Sequence, residues 1–372
     1  MVPREENQAR LRKGQSGMTA ATNANIGTTA VREAHRFDEA ALASWMEANV
    51  DGFHGPVNVE QFKGGQSNPT FRLITPDRAY VMRRKPPGPL LKGAHAIDRE
   101  AQVLTALGGA GFPVAKVYGL CTDESVLGTW FYIMEMVEGR IFWDATLPEV
   151  AREDRPSYFD AMNATIALLH GVDYQLIGLG EFGRPGNYFH RQIARWTKQY
   201  LEDQEAGRNI EMDRLIEWLP ANIPPGDETT IVHGDFRVDN LIFHPFESKV
   251  IAVLDWELST LGNPLADFAY LAMMYHVPPH IVAGLAGADL AALNIPNEAE
   301  YIAAYCRRTG RKTIPNYTFY VAFNVFRLAA IFHGIKGRVL RGTASSVQAA
   351  ERAKAFPELA RIAWRQASHR SA

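Results

Sequence analysis

Cysteine is scarce in this chain: Cys121 and Cys306 are the two thiols among 372 residues. Two thiols cannot build a disulfide framework or a four-thiolate zinc site, which points to a reducing compartment. A basic surplus is also missing. Thirty-nine Lys and Arg stand against 41 Asp and Glu, a formal net charge of −2, whereas a dedicated nucleic-acid binder carries a strong positive excess. No uninterrupted apolar run approaches the ~18 residues of a membrane span, and the N-terminus lacks the apolar segment of a signal peptide. No repeat of the solenoid kind is present. These absences lead to the expectation of a soluble, cytoplasmic protein with neither nucleic acid nor membrane as partner. What remains is a globular composition, 47% apolar and 22% charged. At ~150 residues per domain the length suits two domains or one bilobal one.

Residues 1–35 are polar and short of large apolar side chains, so a flexible leader is expected there. A translation start at Met18 or an expression remnant would both account for it. Between 56 and 138 the pattern predicts short strands and one helix. V-N-V-E-Q-F (57–62) and T-F-R-L-I-T (70–75) alternate as half-buried strands do, and Thr75-Pro76-Asp77-Arg78 leads as a hairpin turn into Y-V-M-R-R (80–84). P-P-G-P (86–89) stops the pairing. Residues 94–107 have helical periodicity and reach Gly108-Gly109, and further strands are expected near 113–119 and 130–137. From about 140 onward the periodicity is mainly helical, interrupted by an apolar cluster at 230–255. The best candidate linker is 135–139. The expected fold is therefore α+β, a small N-terminal antiparallel sheet with one helix followed by a larger, mainly helical lobe.

Two segments carry chemistry. I-V-H-G-D-F-R-V-D-N-L-I-F (231–243) contains H-x-D-x-x-x-x-N, and V-I-A-V-L-D-W-E (250–257) ends an apolar run on Asp255. Phosphoryl transfer from ATP needs a carboxylate to orient and deprotonate a hydroxyl, with oxygen ligands for Mg2+ at the triphosphate. Asp235, Asn240 and Asp255 supply those groups in the order kinases use. A turn whose carboxylates merely cap backbone amides is the plainer alternative. The string G178-L179-G180-E181-F182-G183 imitates a dinucleotide fingerprint, but no strand precedes it and Arg184-Pro185-Gly186 forbids the helix that should follow. A surface loop is expected there. His276 and His280 have the spacing of a zinc pair, yet Pro278 and Pro279 between them preclude the helix it requires.

With these motifs in view, the stretch resembles the aminoglycoside phosphotransferase and choline kinase family, whose fold is protein-kinase-like. The fuller string H-G-D-F-R-V-D-N-L-I-F-H-P with L-D-W-E-L-S-T-L-G-N-P-L-A-D-F-A is most similar to the phosphotransferase domains fused to some acyl-CoA dehydrogenases. The resemblance spans roughly 36–366 and implies a nucleotide-binding lobe at 36–138 and a catalytic and acceptor-binding lobe at 139–372. It implies ATP and Mg2+ as cofactors, Asp235 as base, and Asn240 and Asp255 as metal ligands. His233 and Asp267 would brace the catalytic loop. Val81 would roof the adenine and Arg83 would take the place of the usual lysine, paired with Glu100; Lys85 lies on the same face and competes for that role. Gly64, Gly65, Gln66 and Ser67 would cover the phosphates, and backbone near Glu135 and Met136 would hold adenine.

The implied activity is ATP-dependent transfer of phosphate to an alcohol of a small molecule. Arg83 in place of Lys, and D-W-E in place of D-F-G, leave open a nucleotide-binding pseudokinase without turnover. A true aminoglycoside phosphotransferase is open as well. Residues 281–372 carry thirteen Lys and Arg against five Asp and Glu, which suits an anionic acceptor such as a hydroxyacyl-coenzyme A better than a polycationic drug. The oligomeric state is not legible.

Overall fold

A computed structural model describes residues 27–63, 68–86, 96–344 and 349–368. The chain divides into two units, Met1–Gly139 with Leu147–Ala151, and Arg140–Thr146 with Arg152–Ala372.

In the first unit, strands β1 (Thr28–Thr29), β2 (Asn58–Phe62), β3 (Thr70–Ile74), β4 (Ala79–Arg84), β5 (Val117–Cys121) and β6 (Phe131–Glu135) form one sheet, in the order β1-β2-β3-β4-β6-β5. Every pairing is antiparallel. The turn between β3 and β4 closes through Thr75, whose amide donates to Arg78 O at 2.9 Å and whose hydroxyl donates to Asp77 Oδ1 at 2.9 Å. Between β1 and β2 stands a helix beyond the single one expected, α1 (Glu39–Asn49), capped by Asp38. Its Leu42 and Met46 join Phe71, Leu73, Tyr80, Met82, Phe131 and Ile133 in a core on one face of the sheet. Because side chains alternate along a strand, Val81 and Arg83 turn to the other face. There α2 (Ile97–Gly109) presents Glu100 to Arg83. As expected, α2 ends at Gly108-Gly109, and Gly111 N–H closes on Gly108 O at 3.1 Å just beyond it.

The leader expected to reach residue 35 gives way from Gly27 onward. Thr28 and Thr29 pair with Phe62 and Gln61. The Gln61 carboxamide then accepts from the Arg32 amide at 3.0 Å and donates to His35 Nδ1 at 2.8 Å. Residues 1–26 lie outside the described residues.

The second unit holds α3 (Arg155–His170), α4 (Tyr188–Glu202), α5 (Ile210–Ala221), α6 (Pro264–Ala272), α7 (Glu298–Thr309), α8 (Tyr317–Leu340) and α9 (Ala349–Ser368). Two antiparallel ribbons interrupt them: β7 (Thr230–Val232) with β10 (Thr260–Gly262), and β8 (Leu241–Phe243) with β9 (Val250–Val253). By length and composition α8 could cross a membrane, but 89% of its apolar window is buried inside the protein, so it is spent as a core helix. Polar residues interrupt its apolar run and hid it from a search for unbroken stretches. Each of them ties α8 to a carbonyl elsewhere: Asn324 to Ala266 O at 2.8 Å, Arg327 to Gly234 O at 2.6 Å and His333 to Gly207 O at 2.8 Å. After Ala272 the chain of α6 tightens into a 3₁₀ turn, Met273–Tyr275.

The glycine string at 178–183 is a loop, with Gly178 and Glu181 exposed, and two apolar side chains anchor it. Leu179 and Phe182 are 0% and 1% exposed, and a Cβ on Gly183 would lie 2.6 Å from the Leu261 amide. Its last glycine allows close packing against β10.

Candidate active site

The short strand β7 delivers His233-Gly234-Asp235 into a loop that returns through a 3₁₀ turn, Val238–Asn240, to β8. Gly234 is required twice over. Its φ is +82°, a region that favours glycine, and a Cβ there would meet Leu258 O at 2.9 Å. The loop then closes on itself. Asn240 Nδ2 donates to the Asp235 carbonyl at 2.9 Å and to Asp235 Oδ2 at 3.0 Å, which leaves the Asn240 amide oxygen as an acceptor. Pairing of β8 with β9 brings the second motif alongside, Leu254 N–H donating to Asn240 O at 2.8 Å. Asp255 follows with φ +64°, a left-handed conformation at the head of a 3₁₀ turn. His233 fastens the same two segments. Its Nδ1 accepts from the Asp235 amide at 3.1 Å, which makes Nε2 the protonated nitrogen that donates to Leu254 O at 2.8 Å.

Asp267 fixes the loop from below. Asn263 caps α6 by accepting from the amides of Leu265 and Ala266, and Pro264 takes the first helical position. That start places Asp267 in the first turn, 3% exposed, where Oδ2 accepts from the His233 amide and Oδ1 from the Gly234 amide, both at 2.8 Å. His170 at the end of α3 adds a contact to Oδ2 at 3.2 Å, its other ring nitrogen meeting the Tyr305 hydroxyl at 2.7 Å. Burial alone would raise the Asp267 carboxyl; the hydrogen bond and charge of His170, then His233 and the Gly234 amide, bring it below the ordinary carboxylate range.

Around Asp235 the structure adds groups that the motif did not signal. Tyr270 donates its hydroxyl to Oδ1 at 2.5 Å, and Arg237 Nε lies 3.4 Å from the same oxygen. Arg237 also donates to Asp239 Oδ2 at 2.9 Å. Burial works against the Arg237 charge, but Asp239 and Asp235 outweigh it and keep the guanidinium a cation. Burial and then the Asp235 charge push the Tyr270 phenol up, so it stays protonated as a donor.

In the first unit, the structure brings Arg83 and Glu100 together and leaves Lys85 apart. Arg83 Nη1 lies 3.2 Å from Glu100 Oε2, which also accepts from the Tyr132 hydroxyl at 3.0 Å; Asn68 Nδ2 donates to Oε1 at 3.3 Å. Lys85 instead lays its ammonium 3.7 Å from the centre of the Trp130 ring. The neighbouring Arg84 turns to the opposite face and donates to Thr129 Oγ1 at 2.8 Å and Leu127 O at 2.5 Å. Val81 shares the face of Arg83 and is 7% exposed. Glu135 ends β6 with its amide already donating to Lys116 O at 2.8 Å, so that N–H is committed within the sheet, and Met136 follows it. Gly64, Gly65, Gln66 and Ser67 lie outside the described residues. Among the described residues, no group of three or more His, Cys, Asp or Glu could hold a metal.

Residues 58–307 match the sequence model of the phosphotransferase enzyme family. The chain belongs to that family. Acyl-CoA dehydrogenase family member 10 of Mus musculus is 44% identical over 341 residues, 91% of this chain and 32% of that protein. The chain thus spans about a third of that relative. A crystal structure from Ralstonia eutropha, assigned provisionally to the aminoglycoside phosphotransferases, is 53% identical with a TM-score of 0.82, covering 89% of this chain and 98% of that one. Aminoglycoside phosphotransferase APH(4)-Ia, solved with AMP-PNP and hygromycin B, covers 89% of this chain and 99% of its own at a TM-score of 0.58. At 14% identity that likeness shows the kinase-like fold alone.

In this family member, several cations of the basic C-terminal segment have structural partners. Arg308 pairs with Asp160 at 2.6 Å, Arg311 with Glu228, and Arg341 with Asp203 at 2.7 Å, while Lys336 donates to Ala206 O at 2.6 Å. His276 and His280 pair with Glu298 at 2.6 Å and Glu358 at 3.0 Å.

Proposed function

We propose that this phosphotransferase moves the γ-phosphate of ATP onto a hydroxyl of a small molecule. One observation carries the reading. The Asp235 carboxylate stands on a loop closed by Asn240 at 3.0 Å and pinned through two amides by Asp267 at 2.8 Å. Kinase chemistry is chiefly positioning and charge stabilisation, and a carboxylate so fixed can take a hydroxyl proton without reorganising. In the reaction the acceptor oxygen bonds to the γ-phosphorus, the bond to the ADP oxygen breaks, and the acceptor proton passes to Asp235.

The Asn240 amide oxygen and the Asp255 carboxylate are hard oxygen donors, and Mg2+ takes one or two such ligands beside substrate phosphates and water, so the donor set fits. Mg2+ held there would neutralise charge on the triphosphate. Arg83, kept in place by Glu100, would bind phosphate oxygens, with the backbone of Gly64, Gly65, Gln66 and Ser67 covering them. Val81 and the backbone from Glu135 to Met136 would hold adenine. The complex of APH(4)-Ia with AMP-PNP and hygromycin B supports a triphosphate donor and a hydroxylated small acceptor.

For the acceptor we favour a hydroxyacyl-coenzyme A or another anionic metabolite. Arg237, 3.4 Å from Asp235 Oδ1, is the cation near the base that supports this choice, and the resemblance to acyl-CoA dehydrogenase family members accords with it. We place the reaction in the cytoplasm. ADP release measured over a panel of hydroxyacyl-coenzyme A esters, hydroxy acids and aminoglycosides tests the reading. Turnover with an anionic hydroxy compound that disappears in D235N is expected. Robust phosphorylation of kanamycin-like compounds alone would overturn the acceptor class, and ATP binding with no acceptor-dependent ADP release would favour a pseudokinase.

A further inference from the structure

The base has a torsion that the catalytic motif leaves loose. Rotation of an aspartate carboxylate about its last bond is broad, without the three sharp wells of an aliphatic torsion, so its lone pairs are aimed only if neighbours aim them. Asn240 takes Oδ2 at 3.0 Å. Oδ1 is taken by the Tyr270 hydroxyl at 2.5 Å, with Arg237 Nε at 3.4 Å. Tyr270 lies three residues beyond Asp267 on α6, so both sit on one face of that helix. One turn of helix thus carries the carboxylate that fixes the loop amides and the hydroxyl that reaches the base. The ring is itself located: Tyr270 is 5% exposed, and the Arg327 guanidinium lies 5.1 Å from its centre. The same Arg327 donates to Gly234 O at 2.6 Å, one residue before the base.

From this we infer that Tyr270 is a positioning residue, whose hydroxyl sets the rotation of the Asp235 carboxylate so that its remaining lone pairs receive the acceptor proton. The inference rests on the proposed kinase reading and adds a residue that neither motif contains. A double-mutant cycle of Y270F and D235N tests it in two assays on the full chain. In single-turnover phosphoryl transfer to whichever hydroxyl compound the panel identifies, Y270F lowers the rate ~10-fold with ATP affinity within about two-fold of the parent. In the D235N background the same change costs less than about two-fold, because there is no base left to aim. Urea unfolding of the nucleotide-free protein supplies the second assay, in which the two substitutions are non-additive. Additive losses in either assay, or an unchanged transfer rate in Y270F, overturn the inference. Should Y270F unfold, Y270H, which keeps a ring donor, is expected to retain more transfer than Y270A; equal loss in both overturns the inference. Transfer that is intact but additive sinks the positioning role alone. A parent protein that binds ATP, couples in unfolding and transfers to no hydroxyl sinks the kinase reading and the positioning role with it.

Discussion

Glu100 and Asp267 are both carboxylates almost sealed from water, at 1% and 3% exposure, and they are satisfied in opposite ways. Glu100 is met by side chains: the Arg83 guanidinium, the Tyr132 hydroxyl and the Asn68 carboxamide. Asp267 is met by the backbone amides of His233 and Gly234 with His170 beside them. The difference decides what each can control. A carboxylate bound by side chains places those side chains, here the cation offered for phosphates. A carboxylate bound by amides dictates the path of the chain, and in this protein that chain carries Asp235, the proposed base.

Asp267→Ala is the substitution expected to do most damage. It strands two buried amides and a histidine, and about 3–5 kcal/mol of unfolding free energy is expected to be lost in urea titration. A loss no larger than that of Glu100→Gln would break the comparison. Next comes Asp235→Asn, which keeps the shape but removes the base: transfer is expected to fall ~10²-fold or more while ATP binding stays largely intact. An equally active variant would remove Asp235 from its role. Glu100→Gln keeps the hydrogen-bonding shape but withdraws the charge from Arg83, for which about 2 kcal/mol is expected.

The pH dependence sharpens the contrast further. The Asp267 carboxyl lies below its ordinary value in the folded protein, so its contribution is complete above the unfolded-state value and is lost as pH falls through that value toward the folded one. Stability curves of the parent and Asp267→Asn should therefore converge below about pH 4. Curves that stay parallel down to pH 3 would contradict the assignment. The smallest effect separates neighbours on one strand. Arg83→Ala should weaken ATP binding more than Lys85→Ala, measured by calorimetry, because Lys85 is spent on Trp130. The reverse order would move the cation two residues along β4.

How much of this was legible in the sequence varied with how local the cause was. The two catalytic segments were readable because their spacing is a property of the chain itself: five residues from Asp235 to Asn240 are a single loop, and the apolar strands beside it announce themselves by composition. Family resemblance supplied Glu100 as a partner, and alternation put Arg83 and Lys85 on one face of the strand without choosing between them. Tyr270 was not legible. It reads as one more apolar position in a helix whose every residue is buried, and nothing in L-A-D-F-A-Y marks which ring will meet a carboxylate 35 positions earlier. His170 and Arg327 were hidden for the same reason, since each acts on the loop from a helix far away in sequence. Pinning of residues 28–35 was missed because polar composition suggested freedom, while Gln61 offered partners from another strand.

Periodicity, turn residues and motif spacing are written in the order of amino acids, because they express backbone stereochemistry and nearest-neighbour packing. From them the sequence by itself determined the strand-rich first part, the helical second part and the loop that bears Asp235, while the quoted motifs carried the family resemblance. Only the folded chain decided which cation faces Glu100 and which stacks on Trp130. It also decided that α8 is a core helix, that several cations of the positive C-terminal segment take structural partners, and that Tyr270 and Arg237 meet the Asp235 carboxylate. The physical reason is common to all of these. A buried charge or hydroxyl takes the partner that close packing brings within about 3 Å, and that partner is selected by the meeting of distant segments, which no local pattern records.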